Sequence, residues 1–217
     1  YPPVSESFNF VNTSGFAFSF NTAIVNVYRN LTNPTGATFI RVPNTMSNYL
    51  TLNVYGGGIM TMASAGSGAV FKDVSFYGAP IAFGIDDRVQ MNASFAVTGT
   101  VKIYGYSASR RIRVHNGGDF YLPNATALYC EYTDFQSVNI PTYTVDVSAM
   151  PGGAGDLGSN TGLIFTPAIT CYWRQTVAGV RRWADASNWF LATGGTGGQA
   201  RKPLAQDTAR FDSNSFT

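Results

Sequence analysis

The sequence predicts an all-β chain whose larger part is a parallel β-solenoid. Three observations point there: helical periodicity is nearly absent, short strand-like runs follow one another, and glycines recur at a fixed interval. Residues 23–28, 49–55, 69–76 and 100–104 have strand length and are rich in the β-branched and aromatic side chains that suit a pleated surface. Gly, Asn or Pro punctuates nearly all of these runs. Residues 181–191 alone have room for a helical turn or two.

The interval is the more informative feature. Gly15, Gly36, Gly57, Gly78 and Gly99 are evenly spaced, each step equal to the one before. In blocks of that length Phe18, Phe39, Met60 and Ile81 form one apolar column, and Tyr55, Phe76 and Val97 form a second. Repeats of this size, with strands in fixed register, predict coils that stack and share internal side-chain ladders, none being stable alone. An antiparallel β-sandwich or jelly roll with regular strand lengths is the rival fold. The spacing drifts after Tyr121. A Gly-rich loop follows at 150–160, and the composition changes after Pro167. The expected organisation is a solenoid domain over 1–167 and a small Trp-containing, β-rich connector module over 168–217.

Composition bounds the function. Hydrophobic residues make up 45% of the chain, enough for a sizeable core, while charged residues make up only 12%. That is about half the usual share, and it favours stacking and neutral hydrogen bonding over surface ion pairs. A net charge of +2, with Lys72, Lys102 and Lys202 as the only lysines, argues against nucleic acid as the main partner. No apolar run reaches the roughly 18 to 20 residues of a membrane helix, so no membrane insertion is expected. Cys130 and Cys171 lack any CxxC spacing, so they give no metal signature and leave a disulfide open. Cys130, in an alternating run, reads as a small buried apolar residue. Arg110, Arg111 and Arg113 read as a solvated strand edge that resists sheet-to-sheet aggregation.

Glycoside cleavage needs two carboxylates across a groove, and the candidates are Asp86, Asp87, Asp119, Glu131 and Asp134. Asp86 and Asp87 precede Arg88 and read as a turn. Glu131 and Asp134, three apart on one alternating run, point to opposite faces. His115 is the only histidine and stands before Asn116-Gly117-Gly118, which reads as an exposed loop. The expectation is a protein without catalytic residues, metal or cofactor. All three tryptophans, Trp173, Trp183 and Trp189, fall within the stretch 173–189. Exposed indole faces stack on sugars, which makes these three the candidate glycan-binding residues. The competing role is the core of the terminal module, which has little else to bury.

The C-terminal motifs carry a resemblance. The stretch Asp156-Leu157-Gly158-Ser159-Asn160-Thr161-Gly162-Leu163-Ile164-Phe165-Thr166 resembles a D-G-G-N-N-T-G-W-I-F-T segment that closes β-helical stretches in phage structural proteins, with Leu163 in place of the usual Trp. Cys171-Tyr172-Trp173, Arg182 to Trp189, Gly194 to Gly198, Pro203, Asp207 and Phe211-Asp212-Ser213-Asn214-Ser215-Phe216 are similar to a repeat of large phage tail or fibre proteins and some bacterial surface proteins. The likeness covers 156–217 closely and the rest in style. It implies a structural, non-catalytic component of a virion fibre or appendage. Its partners would be copies of itself (a homotrimer by analogy), other virion proteins and a host surface glycan. A bacterial cell-surface adhesin or glycan-binding module is the alternative, with a glycan depolymerase behind it. Pro2, Glu6, Phe10 and Ser14 match Pro203, Asp207, Phe211 and Ser215 at one constant offset. The chain is therefore expected to be one unit of a longer repeat polypeptide.

Overall fold

Strand after strand in this chain pairs in parallel with a strand one coil away, and that register defines the architecture. The computed structural model describes residues 7–9, 24–28, 38–42, 51–55, 59–64, 69–78, 88–91, 94–115, 118–175 and 182–216. The chain forms two compact units, Tyr1–Phe165 and Thr166–Thr217.

Among the described residues, the first unit holds these strands: β1 (Ser7–Asn9), β2 (Ile24–Tyr28), β3 (Thr38–Val42), β4 (Thr51–Tyr55), β5 (Ile59–Ser64), β6 (Ala69–Phe71), β7 (Asp73–Tyr77), β8 (Arg88–Met91), β9 (Phe95–Val97), β10 (Val101–Tyr104), β11 (Ile112–His115), β12 (Phe120–Tyr121), β13 (Leu128–Glu131), β14 (Thr133–Gln136), β15 (Val145–Asp146), β16 (Ala154–Asp156) and β17 (Leu163–Ile164). They build three parallel sheets. Sheet one runs β1-β3-β5-β8-β11-β14-β16, sheet two runs β13-β10-β7-β4-β2, and sheet three runs β12-β9-β6. Three successive turns, beginning at β5, β8 and β11, give a strand to every sheet, so the unit is a parallel β-solenoid. Bridges from Asp119 to Asn139 to Thr161 prolong the row of sheet three, and β15 pairs with β17.

Alternation along each strand sends every second side chain inward. β10, β11 and β13 all read buried, half-buried, buried, half-buried. Register then stacks the inward residues into ladders: Val74 on Val101 on Leu128, Phe76 on Ile103 on Cys130, and Val89 on Val114 on Phe135. In sheet three Phe95 packs between Phe71, edge-on at 5.9 Å, and Phe120, tilted at 4.9 Å. Each such buried side chain contributes roughly 1.5–3 kcal/mol through removal of apolar surface from water.

The coil length is not constant. Ile112 pairs with Thr133, a step equal to the glycine interval, but Val101 pairs with Leu128 and Phe95 with Phe120, both longer steps. The turns vary in length while the strands keep their register. The expected columns are therefore displaced. Phe39 pairs with Thr61 rather than Met60, Tyr55 with Tyr77, Phe76 with Val54, and Val97 with Phe71; Phe18 and Ile81 lie outside the described residues. Of the five glycines, Gly15, Gly36 and Gly57 lie outside them too. Gly78 follows β7 while Gly99 precedes β10, at different corners of the coil. Gly78 corresponds instead to Gly105, since the two donate to the Tyr104 and Glu131 carbonyls at equivalent places. A Cβ on Gly105 would collide with the Tyr132 carbonyl oxygen, so glycine is required there for close approach of the coils.

The second unit contains a three-stranded sheet. β18 (Thr170–Trp173) pairs antiparallel with β19 (Trp189–Phe190) and parallel with β20 (Thr208–Arg210). A short 3-10 turn, Ala186–Asn188, is capped by the Asp185 carboxylate, which accepts from Ser187 N; this is the one helical feature of the 181–191 stretch among the described residues. Cys171, Trp173, Trp189 and Ala200 form the core. Asp207, whose side chain is fully buried, accepts from the backbone N–H groups of Ile169 (2.9 Å) and Leu204 (2.8 Å) and from Arg201 Nε and Nη2 (2.9 and 2.6 Å).

Replacing Phe95 with Ala removes the middle ring of the sheet-three ladder and is expected to destabilise the solenoid by about 3–5 kcal/mol. A urea titration checks it: the midpoint falls while the slope is unchanged.

Candidate functional site

The outward side chains form ladders as regular as the inward ones. On sheet two the rings of Tyr55, Tyr77 and Tyr104 stack at 4.6 and 5.0 Å with nearly parallel planes, and Tyr129 continues the ladder tilted at 5.6 Å. Tyr77 and Tyr104 have ring neighbours on both sides, so that stretch of the ladder offers sugars edges rather than stacking platforms. At its end the Tyr129 hydroxyl donates to Glu131, and this bond pushes the phenol up to about 12. Along sheet three, Asn139 Nδ2 donates to Asp119 Oδ1 at 2.9 Å and Thr161 Oγ1 donates to Asn139 Oδ1. Asp73 accepts from Thr100 N and Oγ1 at 2.8 and 2.9 Å, one coil away.

Asp134 belongs to the strongest of these contacts. Arg111 Nε lies 2.8 and 3.0 Å from its two carboxylate oxygens, and the same guanidinium donates to the carbonyls of Thr133, Gly152 and Gly153 at 2.9, 2.9 and 2.7 Å. One side chain thus ties together three coils. Arg111 is only 16% exposed and Asp134 18%. This corrects the reading of Arg110, Arg111 and Arg113 as a solvated edge. Sheet one continues on both sides of β11, to β8 and β14, and Arg111 is a strut. Arg110 sits in a turn beside Tyr106, its guanidinium 5.9 Å from the ring centroid, and Arg113 stands on β11.

The remaining candidates are placed as follows. Glu131 and Asp134 do not share a strand: Tyr132, at φ 45°, turns the corner between β13 and β14, so the two carboxylates lie on different sheets. His115 ends β11 instead of hanging on a loop, with Nε2 buried. Burial, then Arg113 and Arg88, hold its pKa below the ordinary imidazole value. Asp86 and Asp87 lie outside the described residues. Cys130 and Cys171 are both free and buried, and burial raises the Cys130 thiol to about 12, the behaviour of an inert core group. Among the described residues no three His, Cys, Asp or Glu side chains converge on a metal-sized space.

The three tryptophans separate in role. Trp189 is wholly buried and Trp173 is buried; they meet edge-on at 5.0 Å. Trp183 is 48% exposed, packs edge-on against Trp189 at 4.7 Å, and supplies the carbonyl that accepts from Trp189 Nε1 at 3.0 Å. Of the candidate glycan-binding residues, Trp183 alone is exposed. The other motif residues act in packing and turn closure. Asp212 N donates to Ser215 Oγ at 2.9 Å, and Ser215 is fully buried.

Sequence reasoning missed the tyrosine ladder and the Arg111 strut. The step from Tyr55 to Tyr77 is shorter than the step from Tyr77 to Tyr104, and no fixed period finds unequal steps. Asp134 becomes the partner of Arg111 only through the register of β11 on β14. Comparison with family models, with curated proteins and with solved structures gave no match.

Replacing Arg111 with Met removes a donor that Asp134 shares with three carbonyls, and is expected to cost about 3 kcal/mol. The double change R111M/D134L, which removes the part-buried carboxylate as well, should recover part of that loss. Equilibrium unfolding of the three proteins measures both, and equal stability of R111M and wild type would rule out the strut.

Proposed function

We propose that this chain is a structural, non-catalytic segment of an elongated assembly, a fibre or appendage of a virion, present in several copies. The observation that carries the reading is the use made of its carboxylates. Asp73, Asp119, Asp134 and Asp207 each bond a neighbouring strand, coil or turn, and Glu131 accepts from Tyr129 on its own strand. A catalytic pair needs two carboxylates free to meet substrate, whereas a scaffold uses them to hold its layers in register. The likeness of 156–217 to phage tail and fibre repeats supports the same reading. A parallel solenoid is a rod-building unit that grows by adding coils.

A second reading, a glycan-binding module or adhesin on a virion or cell surface, is favoured by the exposed ring of Trp183. Indole faces of this kind stack on sugars.

Cryo-electron microscopy of the intact native particle tests the first reading. The expected result is this chain in repeating, elongated density within an appendage. A lone monomer that releases reducing ends from a polysaccharide would overturn it. On a glycan array the second reading expects binding that the Trp183→Ala change abolishes.

A further inference from the structure

Two strands of this chain stand at the same place in a repeat. Pro2, Glu6, Phe10 and Ser14 match Pro203, Asp207, Phe211 and Ser215 at one offset. That offset carries β1 onto β20, Ser7 onto Thr208 and Asn9 onto Arg210, so the motif positions and the strand ends agree to the residue. β1 pairs in parallel with β3 and stands at one end of sheet one; β20 pairs in parallel with β18 and stands at one end of the sheet in the second unit. Among the described residues each is an edge strand with one neighbour.

The peptide groups make the two open edges complementary. In a parallel strand the N–H and C=O of one residue point to one neighbour, and those of the next residue point to the other. In the solenoid, buried residues point theirs at the following coil: Val74 N donates to Thr100 O, Val101 N to Ala127 O and Ile112 N to Tyr132 O, at 2.9, 2.7 and 3.0 Å. Phe8 stands on the register row of Ile40, Met62 and Met91, two positions along the strands from the row of the buried Val89. The Phe8 peptide groups therefore point at β3. In β20, Thr208 N donates to the Ile169 carbonyl at 2.9 Å. Thr208 and Arg210 thus point at β18, and Ala209, the counterpart of Phe8, points to the open side. β18 occupies on β20 the edge that β1 leaves open, and β20 leaves open the edge that β1 gives to β3.

Apolar rings flank that open edge. Phe211, two residues beyond Ala209, packs against Trp173 and Trp189 at 5.8 and 5.9 Å and is still 50% exposed. Trp183, 6.4 Å from Phe211, is also half exposed. An unpaired strand edge beside exposed apolar rings is a template for another strand.

We propose that β20 is a shared strand, which closes the small sheet of one unit and serves as the first strand of the solenoid of the next. The occupant of its open edge is a parallel strand with the sequence of β3, Thr38–Val42, from the following copy of this unit, with Ala209 opposite Ile40. Arg210, which this register sets opposite Arg41, holds its guanidinium on the β18 side, 5.6 Å from the centroid of the Tyr172 ring. Seen from the other end, the same contact puts a β18-like strand of the preceding unit beside β1. The proposal rests on the reading of the chain as one segment of an elongated assembly, and names the contact that joins the segments.

A tandem tests it: residues 1–217 followed directly by residues 17–217 of a second copy, which keeps the offset and leaves the second copy no first strand except β20. The control is two 1–217 copies joined by a flexible Gly/Ser linker, each with its own β1. Hydrogen exchange resolved to single amides is read at Ala209 of the first copy, with the Thr208 amide, bonded to Ile169, as the protected reference. The expected result is an Ala209 amide that exchanges at least about tenfold more slowly in the tandem than in the single chain or the linked control. Equal exchange at Ala209 in all three overturns the proposal. So does a second copy that folds in the linked control and stays unfolded behind β20. Either failure removes the shared strand and leaves the assembly reading to its own test on the native particle.

Discussion

In the solenoid each interior strand of a sheet pairs on one side with the preceding coil and on the other with the next, in parallel and in register. Everything else in the unit rests on this pairing. A lone coil would leave one row of peptide groups on each side unpaired and its inward side chains wet, both large penalties for so short a segment. Stacking removes both at once. It also sets equivalent side chains above one another, so inward positions become apolar ladders and outward positions become tyrosine, amide or charged ladders.

That constraint explains why polar groups are tolerated in a chain with so few charges. Thr133 points inward and is fully buried, yet its hydroxyl donates to the Glu131 carbonyl at 2.9 Å. Asn160 reaches the Phe135 carbonyl and the Asp156 carboxylate at 2.9 and 2.7 Å, closing the turn after β16. Arg111 does the same across three coils. Each of these bonds is local to the stack, so a coil inserted or lost would disturb only its neighbours. The second unit solves the same problem differently: with a small sheet and little apolar area, it relies on a tryptophan pair and on one buried carboxylate, Asp207, held by four donors.

Register also brings charged side chains together in ways that composition conceals. A net charge of +2 spread over the whole chain gives no hint of a basic patch. Parallel stacking nevertheless brings Arg88, distant in the chain, against Arg113, and sets His115 in the adjoining row. Conversely, Glu131 and Asp134, near neighbours in the chain, are parted onto different sheets by one left-handed residue, Tyr132.

The all-β class, the solenoid architecture and strand runs such as 100–104 were legible in the chain before folding was considered. Those properties follow from local composition and a two-residue alternation, both readable within a few positions. The same alternation marked Cys130 as a core residue. Coil length, ladder membership and the fate of each candidate side chain were not legible, and they came from the folded stack alone. Register is set by hydrogen bonds between coils, while the turns joining the strands vary in length, so no count along the chain identifies the partners. Tyr55 stacks on Tyr77 and Phe76 on Ile103 because the strands align, whatever number of residues lies between. The same holds for the tryptophans: one sequence cluster supplies two core rings and one exposed ring, and the folded sheet of β18, β19 and β20 makes that division.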